Sequence, residues 1–203
     1  MTHRLLTLLN RYPGQGAAPG PTVLILDEFT DADGTLLSAH TIAPTNTPGG
    51  SWVAALGSFS IDTNKARVTT NLVNSWALVE SGVSDCKVSS VVRQTVGNNR
   101  DMFLVFRATD KDNCFYLAFY NGGFDLYTIT AGAFVLRASD TPAMAAATDY
   151  TMLISGSGNT VTATLDGLYT LSYTSAHQNT ATIHGINNSR VVIVFDDFKV
   201  TVP

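Results

Sequence analysis

Glutamate is nearly missing from this chain: of 203 residues, 2 are Glu against 14 Asp. Charge of any kind is scarce, at 14% of residues, and 12 Lys and Arg against 16 acidic residues leave a formal net charge of -4. No cluster of Lys or Arg exists to neutralise phosphates, which excludes nucleic acid as the main partner. The longest purely apolar runs, such as residues 191–195, fall far short of the roughly 20 residues a helix needs to cross a bilayer. No membrane partner is expected. With 2 cysteines, Cys86 and Cys114, the chain has no disulfide framework, and the pair fits better as unpaired thiols. The shortage of Glu and Lys (6 together) beside 26 Thr disfavours helix and favours pleated sheet.

What is present divides into three parts. Residues 1–12 form an N-terminal arm, 13–21 a Pro/Gly linker, and 22–203 a single domain long enough to bury a core. In the arm, Leu5, Leu6, Leu8 and Leu9 fall on one face of two helical turns. A helix that short is marginal in water. It reads either as a frayed start or as an assembly arm that orders by docking its leucines on another subunit or protein. The leucine block, stopped by Asn10 and Arg11, is shorter than the ~7–15 residues of a secretory core, so no cleaved leader is expected. The linker carries 3 Pro and 3 Gly between Tyr12 and Thr22, and cannot continue a helix or a ladder.

From Thr22 onward, short apolar or alternating runs recur. They cover 22–26, 59–61, 66–68, 76–80, 87–95, 102–108, 114–120, 124–130, 134–138, 150–155, 160–165, 168–174 and 190–202. Turn signals separate them, among them Gly97-Asn98-Asn99, Asp110-Lys111-Asp112-Asn113, Asn121-Gly122-Gly123 and the hairpin pair Asp166-Gly167. Many short strands at spacings of about 8–12 residues predict an all-β sandwich or barrel. Residues 142–148, rich in Ala, are the one stretch that tolerates a helical turn.

Four motifs stand in order along the chain: Leu26-Asp27-Glu28-Phe29 running to Asp33-Gly34-Thr35-Leu36, then Gly49-Gly50-Ser51-Trp52, then Phe106-Arg107 with Asp110, Asn113 and Tyr116, and finally Phe195-Asp196-Asp197-Phe198. Together they resemble the concanavalin A-like lectin/glucanase jelly rolls, the laminin G-like domains among them, found in phage virion and carbohydrate-binding proteins. The resemblance spans about residues 22–203. It implies a sandwich of two antiparallel sheets with the first and last strands side by side, and Phe29 and Phe198 in the core. It also implies a structural calcium held by Glu28 and Asp197, with Asp27 and Asp196 as alternates; the other reading is a pair of solvated acidic strand ends. Oxygen ligands of this kind suit calcium. The glucanases of this fold carry Glu-x-Asp-x-x-Glu on one strand, and a retaining mechanism needs its carboxyls about 5–5.5 Å apart. Here Glu28 and Glu80 each stand alone. No enzyme is expected.

Other catalytic patterns are missing too. His3, His40, His177 and His184 have no zinc-ligand spacing, and His177 and His184 read as surface residues. Gly156-Ser157-Gly158 reads as a turn rather than a nucleophile elbow. Trp52 and Trp76 read as core. Binding chemistry remains. Tyr116 and Tyr120 share one face of a strand whose other face carries Phe115, Leu117 and Phe119. Arg107 and Tyr127 on the neighbouring strands complete a shallow candidate ligand site; the competing reading covers this face with a sheet edge or another subunit.

Three functions fit. The first is a non-enzymatic virion structural or attachment protein, a phage decoration, tail or fibre subunit made in the host cytoplasm. Its partners would be other virion proteins, further copies of itself and cell-surface glycan. The second is a carbohydrate-binding module of a secreted enzyme or adhesin. A glycoside hydrolase without the usual Glu pair ranks last.

Overall fold

A computed structural model of the chain describes residues 20–42, 50–71, 73–97 and 101–202. The leucines of the arm and nearly all of the linker lie outside the described residues, as do Gly49, Asn98 and Asn99. The chain runs through β1 (Thr22–Asp27), β2 (Val53–Leu56), β3 (Phe59–Ile61), β4 (Ala66–Val68) and β5 (Ser75–Glu80). It continues with β6 (Lys87–Gln94), β7 (Met102–Asp110), β8 (Asn113–Tyr120), β9 (Gly123–Thr130) and β10 (Ala133–Asp140). The last third adds β11 (Asp149–Ser157), β12 (Thr160–Leu165), β13 (Tyr169–Thr174), β14 (Ile183–Asn188) and β15 (Ile193–Val202). A 3-10 turn at Leu37–Ala39 is the one helical piece among the described residues. Residues 142–148 hold a turn and no helix.

Two antiparallel sheets face each other. One has the order β13-β12-β11-β6-β15-β4-β3, with β1 also paired to β15; the other has the order β10-β9-β8-β7-β14-β5-β2. The protein is therefore an all-β jelly-roll sandwich, with its first and last strands adjacent as the motif order implied. Asp27 pairs with Phe198. Phe29 and Phe198 are both 0% exposed in the core between the sheets. Burial of rings of this size is the largest single favourable contribution to such a core. At Asp166 and Gly167, φ values of 50° and 69° make the tight hairpin turn between β12 and β13.

The sequence left out two strands. β2 consists of small and medium apolar residues on the rim of its sheet. β14, with sequence IHGINN, lacks any strand-like alternation, yet it sits between β5 and β7 with five of its six residues buried. Gly185 permits that position. A Cβ there would lie 2.1 Å from the carbonyl oxygen of Ala77, so only glycine lets β5 and β14 approach.

The segment after β1 is fixed to the sandwich by one buried carboxylate. Asp27, 2% exposed, accepts from Trp52 Nε1 at 2.6 Å and from the Phe29 amide at 2.8 Å. His40 bridges Asp27 through Nε2 at 2.9 Å and Asp31 through Nδ1 at 2.6 Å. Burial pulls the His40 pKa down, but the hydrogen bonds and charges of Asp31 and Asp27 outweigh it and the net shift is upward.

Candidate functional site

The seven-stranded sheet is apolar on both faces. Along β8, Phe115, Leu117 and Phe119 enter the central core, while Cys114 and Tyr116 join Trp76, Leu78, Val105, Ala108 and Ile129 in a second cluster. Because successive side chains on a strand point to opposite sides, this second cluster lies on the outward face. Trp52 and Trp76 are both buried, Trp52 in the core and Trp76 in the outer layer.

On that outward face an open cavity of about 500 Å³ is lined by Asp101, Phe103, Tyr116, Tyr120, Tyr127 and Phe134. Three of the four residues expected to form the ligand site, Tyr116, Tyr120 and Tyr127, thus come together. Tyr116 forms the floor. It is 6% exposed, stacks on Phe103 at 4.6 Å between centroids, and donates its hydroxyl to Asn187 Oδ1 at 2.5 Å. Phe134, from β10, stands as a wall. Its ring is at 88° to Tyr116 and 75° to Tyr127, and it is 53% exposed. Beneath the tyrosines lies Asp125, 3% exposed. Its Oδ2 accepts from Tyr120 at 2.6 Å and Tyr127 at 2.9 Å, and its Oδ1 from Ser139 at 2.5 Å. The hydrogen bond to Asp125, with some burial, pushes Tyr120 up to about 12. Burial and then the Asp125 bond push Tyr127 up to about 12. Both phenols therefore stay protonated and hold their donors on Asp125.

Arg107 does not belong to this site. Alternation along β7 would put it outward beside Phe103 and Val105, but the β7–β8 register slips after Phe106 and Arg107 takes φ 46°. That bulge turns the side chain inward, where it is 0% exposed with its guanidinium carbon 5.3 Å from the Phe106 ring centre. Its guanidinium donates to the Ser84 carbonyl at 2.9 Å, the Gly158 carbonyl at 2.8 Å and Asp85 Oδ1 at 2.7 Å. It ties loops together and cannot reach a ligand on the outer face.

His184 corrects a second expectation, for it is 0% exposed rather than on the surface. His177 is half-buried, its ring edge-on to Phe115 at 5.3 Å. His184 Nε2 lies 3.4 Å from Cys86 Sγ, a spacing that invites a nucleophile–base reading. The tautomer excludes it. Nδ1 accepts from the Arg107 amide at 3.2 Å, so Nε2 carries the proton and donates to the Val83 carbonyl at 3.1 Å. Burial depresses His184 to about 4 and pushes the Cys86 thiol up to about 12. Both groups stay neutral. The two cysteines are free and buried.

At the strand ends expected to bind calcium, Glu28 and Asp197 are exposed. The alternates are occupied: Asp27 by the three donors named above, and Asp196 by Lys65. Among the described residues no group of three or more His, Cys, Asp or Glu is gathered to hold a metal. Calcium asks for several oxygens around one point, and the donors present here do not fit it.

Sequence reasoning missed Phe134 and Asp125. Phe134 sits in an apolar run that reads as core, whereas the alternation Asp125–Tyr127 on β9 did carry the signal.

The fold and this cavity define the class: a jelly-roll sandwich of two antiparallel sheets with an aromatic cavity on one sheet face. Neither protein-family models nor curated proteins match the sequence. Solved structures do match in shape. The carbohydrate-binding module CBM66 from Bacillus subtilis superposes with a TM-score of 0.62 at 18% identity, over 75% of this chain and 95% of that one. An endo-acting O-glycanase from human gut microbiota gives 0.63 at 10% identity, over 90% of this chain and 100% of the other. SCLam, a non-specific endo-beta-1,3(4)-glucanase from family GH16, gives 0.61 at 9% identity, over 92% and 93%. At these identities the likeness shows the fold alone.

Proposed function

We propose that this protein is a glycan-binding module without catalytic activity, and that the cavity of Tyr116, Tyr120, Tyr127, Phe103 and Phe134 is its site. One observation carries the reading: aromatic rings set at steep angles around an open cavity whose lining also holds the Asp101 carboxylate and the Tyr120 and Tyr127 side chains, their phenols bonded to the buried Asp125. Sugars offer an apolar C–H face to such rings and hydroxyls to such oxygens. Of the similar structures, one is a carbohydrate-binding module and two are glycan-cleaving enzymes, which supports carbohydrate as the ligand class. The missing Glu pair supports binding without turnover. A glycan array tests it with Phe134→Ala as the control, since Phe134 is half exposed and its loss leaves the core intact. Specific signal lost in that variant is expected; undiminished signal removes the site. Incubation with β-glucans should release no reducing ends.

The narrower setting we propose is a virion attachment or decoration subunit. The leucine arm and linker support it, as does the edge strand β10, which exposes Phe134, Val135 and Leu136 in succession. Such an edge suits packing against other subunits. Sizing of the chain with and without residues 1–20 should show an assembly lost on removal; two monomers would contradict it.

A further inference from the structure

Among the described residues, Asp125 finds its hydrogen bonds but no counter-charge. It is 3% exposed and accepts from three hydroxyls, those of Tyr120, Tyr127 and Ser139. Both of its oxygens are taken up by these hydroxyls. Among the described residues no Lys, Arg or His forms an ion pair with it. Arg137, on the adjacent strand β10, is turned elsewhere: its Nε donates to Thr128 at 2.8 Å and its guanidinium lies over the Tyr173 ring. Buried charges in folded proteins are ordinarily paired, because neutral donors satisfy oxygen lone pairs without cancelling the field.

That field emerges through the two phenols that line the cavity. The rings of Tyr116, Tyr127, Phe103 and Phe134 are part of the cavity lining, with Phe134 edge-on to Tyr116 and Tyr127. The Asp101 carboxylate at the rim is close enough to push all three tyrosine pKa values upward. Ring faces and carboxylates attract cations alike, and a cation between perpendicular rings gains from each of them. Net charge adds in the same direction, at -4 for the chain.

We infer that the cavity takes a ligand bearing a positive amino group, and, resting on the glycan reading above, that this ligand is a saccharide with a free amine. The sugar's C–H face lies on the rings while its ammonium sits over Asp125 and supplies the missing charge. A neutral or N-acetylated sugar of the same shape leaves the carboxylate uncompensated and binds more weakly.

Calorimetry with the full chain separates the cases, using a β-1,4-linked glucosamine trimer and its N-acetylated counterpart, near pH 6 and in low salt. The expected result is a preference of about tenfold for the amine, the order of a partly desolvated cation–π contact. The preference should shrink with added salt and vanish as the amine deprotonates, near pH ~8 for an amine of this class. Asp125→Asn should abolish the preference while leaving the weaker binding of the acetylated sugar. If that variant does not fold, the pH dependence of the wild-type preference carries the test. Equal binding of the two sugars, or tighter binding of the acetylated one, overturns the charge inference and leaves the glycan site standing. Binding of neither overturns both.

Discussion

Mild acid should weaken this fold, and the cause is His184. The imidazole is 0% exposed, stacked on the Phe106 ring at 5.0 Å, with the Arg107 amide on Nδ1 and the Val83 carbonyl on Nε2. Burial outweighs the Val83 bond, and the neighbouring Arg107 charge adds to it, so the folded pKa falls from 6.5 to about 4. In the unfolded chain the same histidine takes a proton near its ordinary pKa of about 6.5. Between those values the unfolded state binds one more proton than the folded one, so stability is lost as pH falls. The slope is about 1.4 kcal/mol per pH unit, which over the interval amounts to on the order of 3 kcal/mol. For a domain of this length that lowers the melting midpoint by about 6–12 °C. Urea titrations at pH 7, 6 and 5 measure it. His184→Gln keeps an acceptor for the Arg107 amide and a donor for Val83 but cannot titrate, so its slope between pH 6.5 and 5 should be flat. An equal slope in the variant, or an NMR titration of His184 near pH 6.5 in the native protein, would refute the reasoning.

Three further outcomes are expected. His40 titrates in the opposite sense: its folded pKa is raised, so the stability it lends is complete below pH ~6.5 and is lost as pH rises through the folded value. Melting midpoints above pH 7 should therefore decline in the wild type and level off in His40→Gln. Arg107→Leu leaves the part-buried Ser84 carbonyl without its donor, while the exposed Gly158 can turn to water, and should destabilise by about 1–3 kcal/mol with ligand affinity of the folded fraction unchanged. Gly185→Ala forces a Cβ to 2.1 Å from the Ala77 carbonyl and should cost at least about 3 kcal/mol, or yield no soluble protein at 37 °C.

Much of this molecule was legible in the sequence because a strand's period of two is insensitive to detail. The face shared by Tyr116 and Tyr120 and the hairpin at Asp166-Gly167 follow from alternation and turn chemistry, while the burial of Phe29 and Phe198 came from the resemblance of the motifs to jelly rolls. Arg107 was misplaced because the same rule fails at a bulge, where one residue with positive φ reverses every inference about facing. β14 escaped notice for a related reason. A strand held between two others in a sheet apolar on both faces needs no alternation, and its polar residues are satisfied by partners remote in sequence, as when Asn187 donates to Asn74 and to the Ser75 carbonyl. His184 looked like a surface residue because nothing local shows that Val83 and Arg107 will supply its hydrogen bonds. Of the strand-end carboxylates that resembled a calcium site, Glu28 and Asp197 are exposed, while the alternate Asp27 is taken by Trp52 and His40, which arrive from outside the motif.

The central claim is that ligand binds in the aromatic cavity on the outward face of the seven-stranded sheet. A crystal structure with a bound saccharide, chosen from the array, tests it most directly. The account predicts a sugar ring against Phe134 and Tyr127, with its polar groups toward Asp125. A sugar seated instead at Glu28 and Asp197, or in the neighbouring cavity of about 420 Å³ beside Leu78, Glu80 and Ile183, would contradict it.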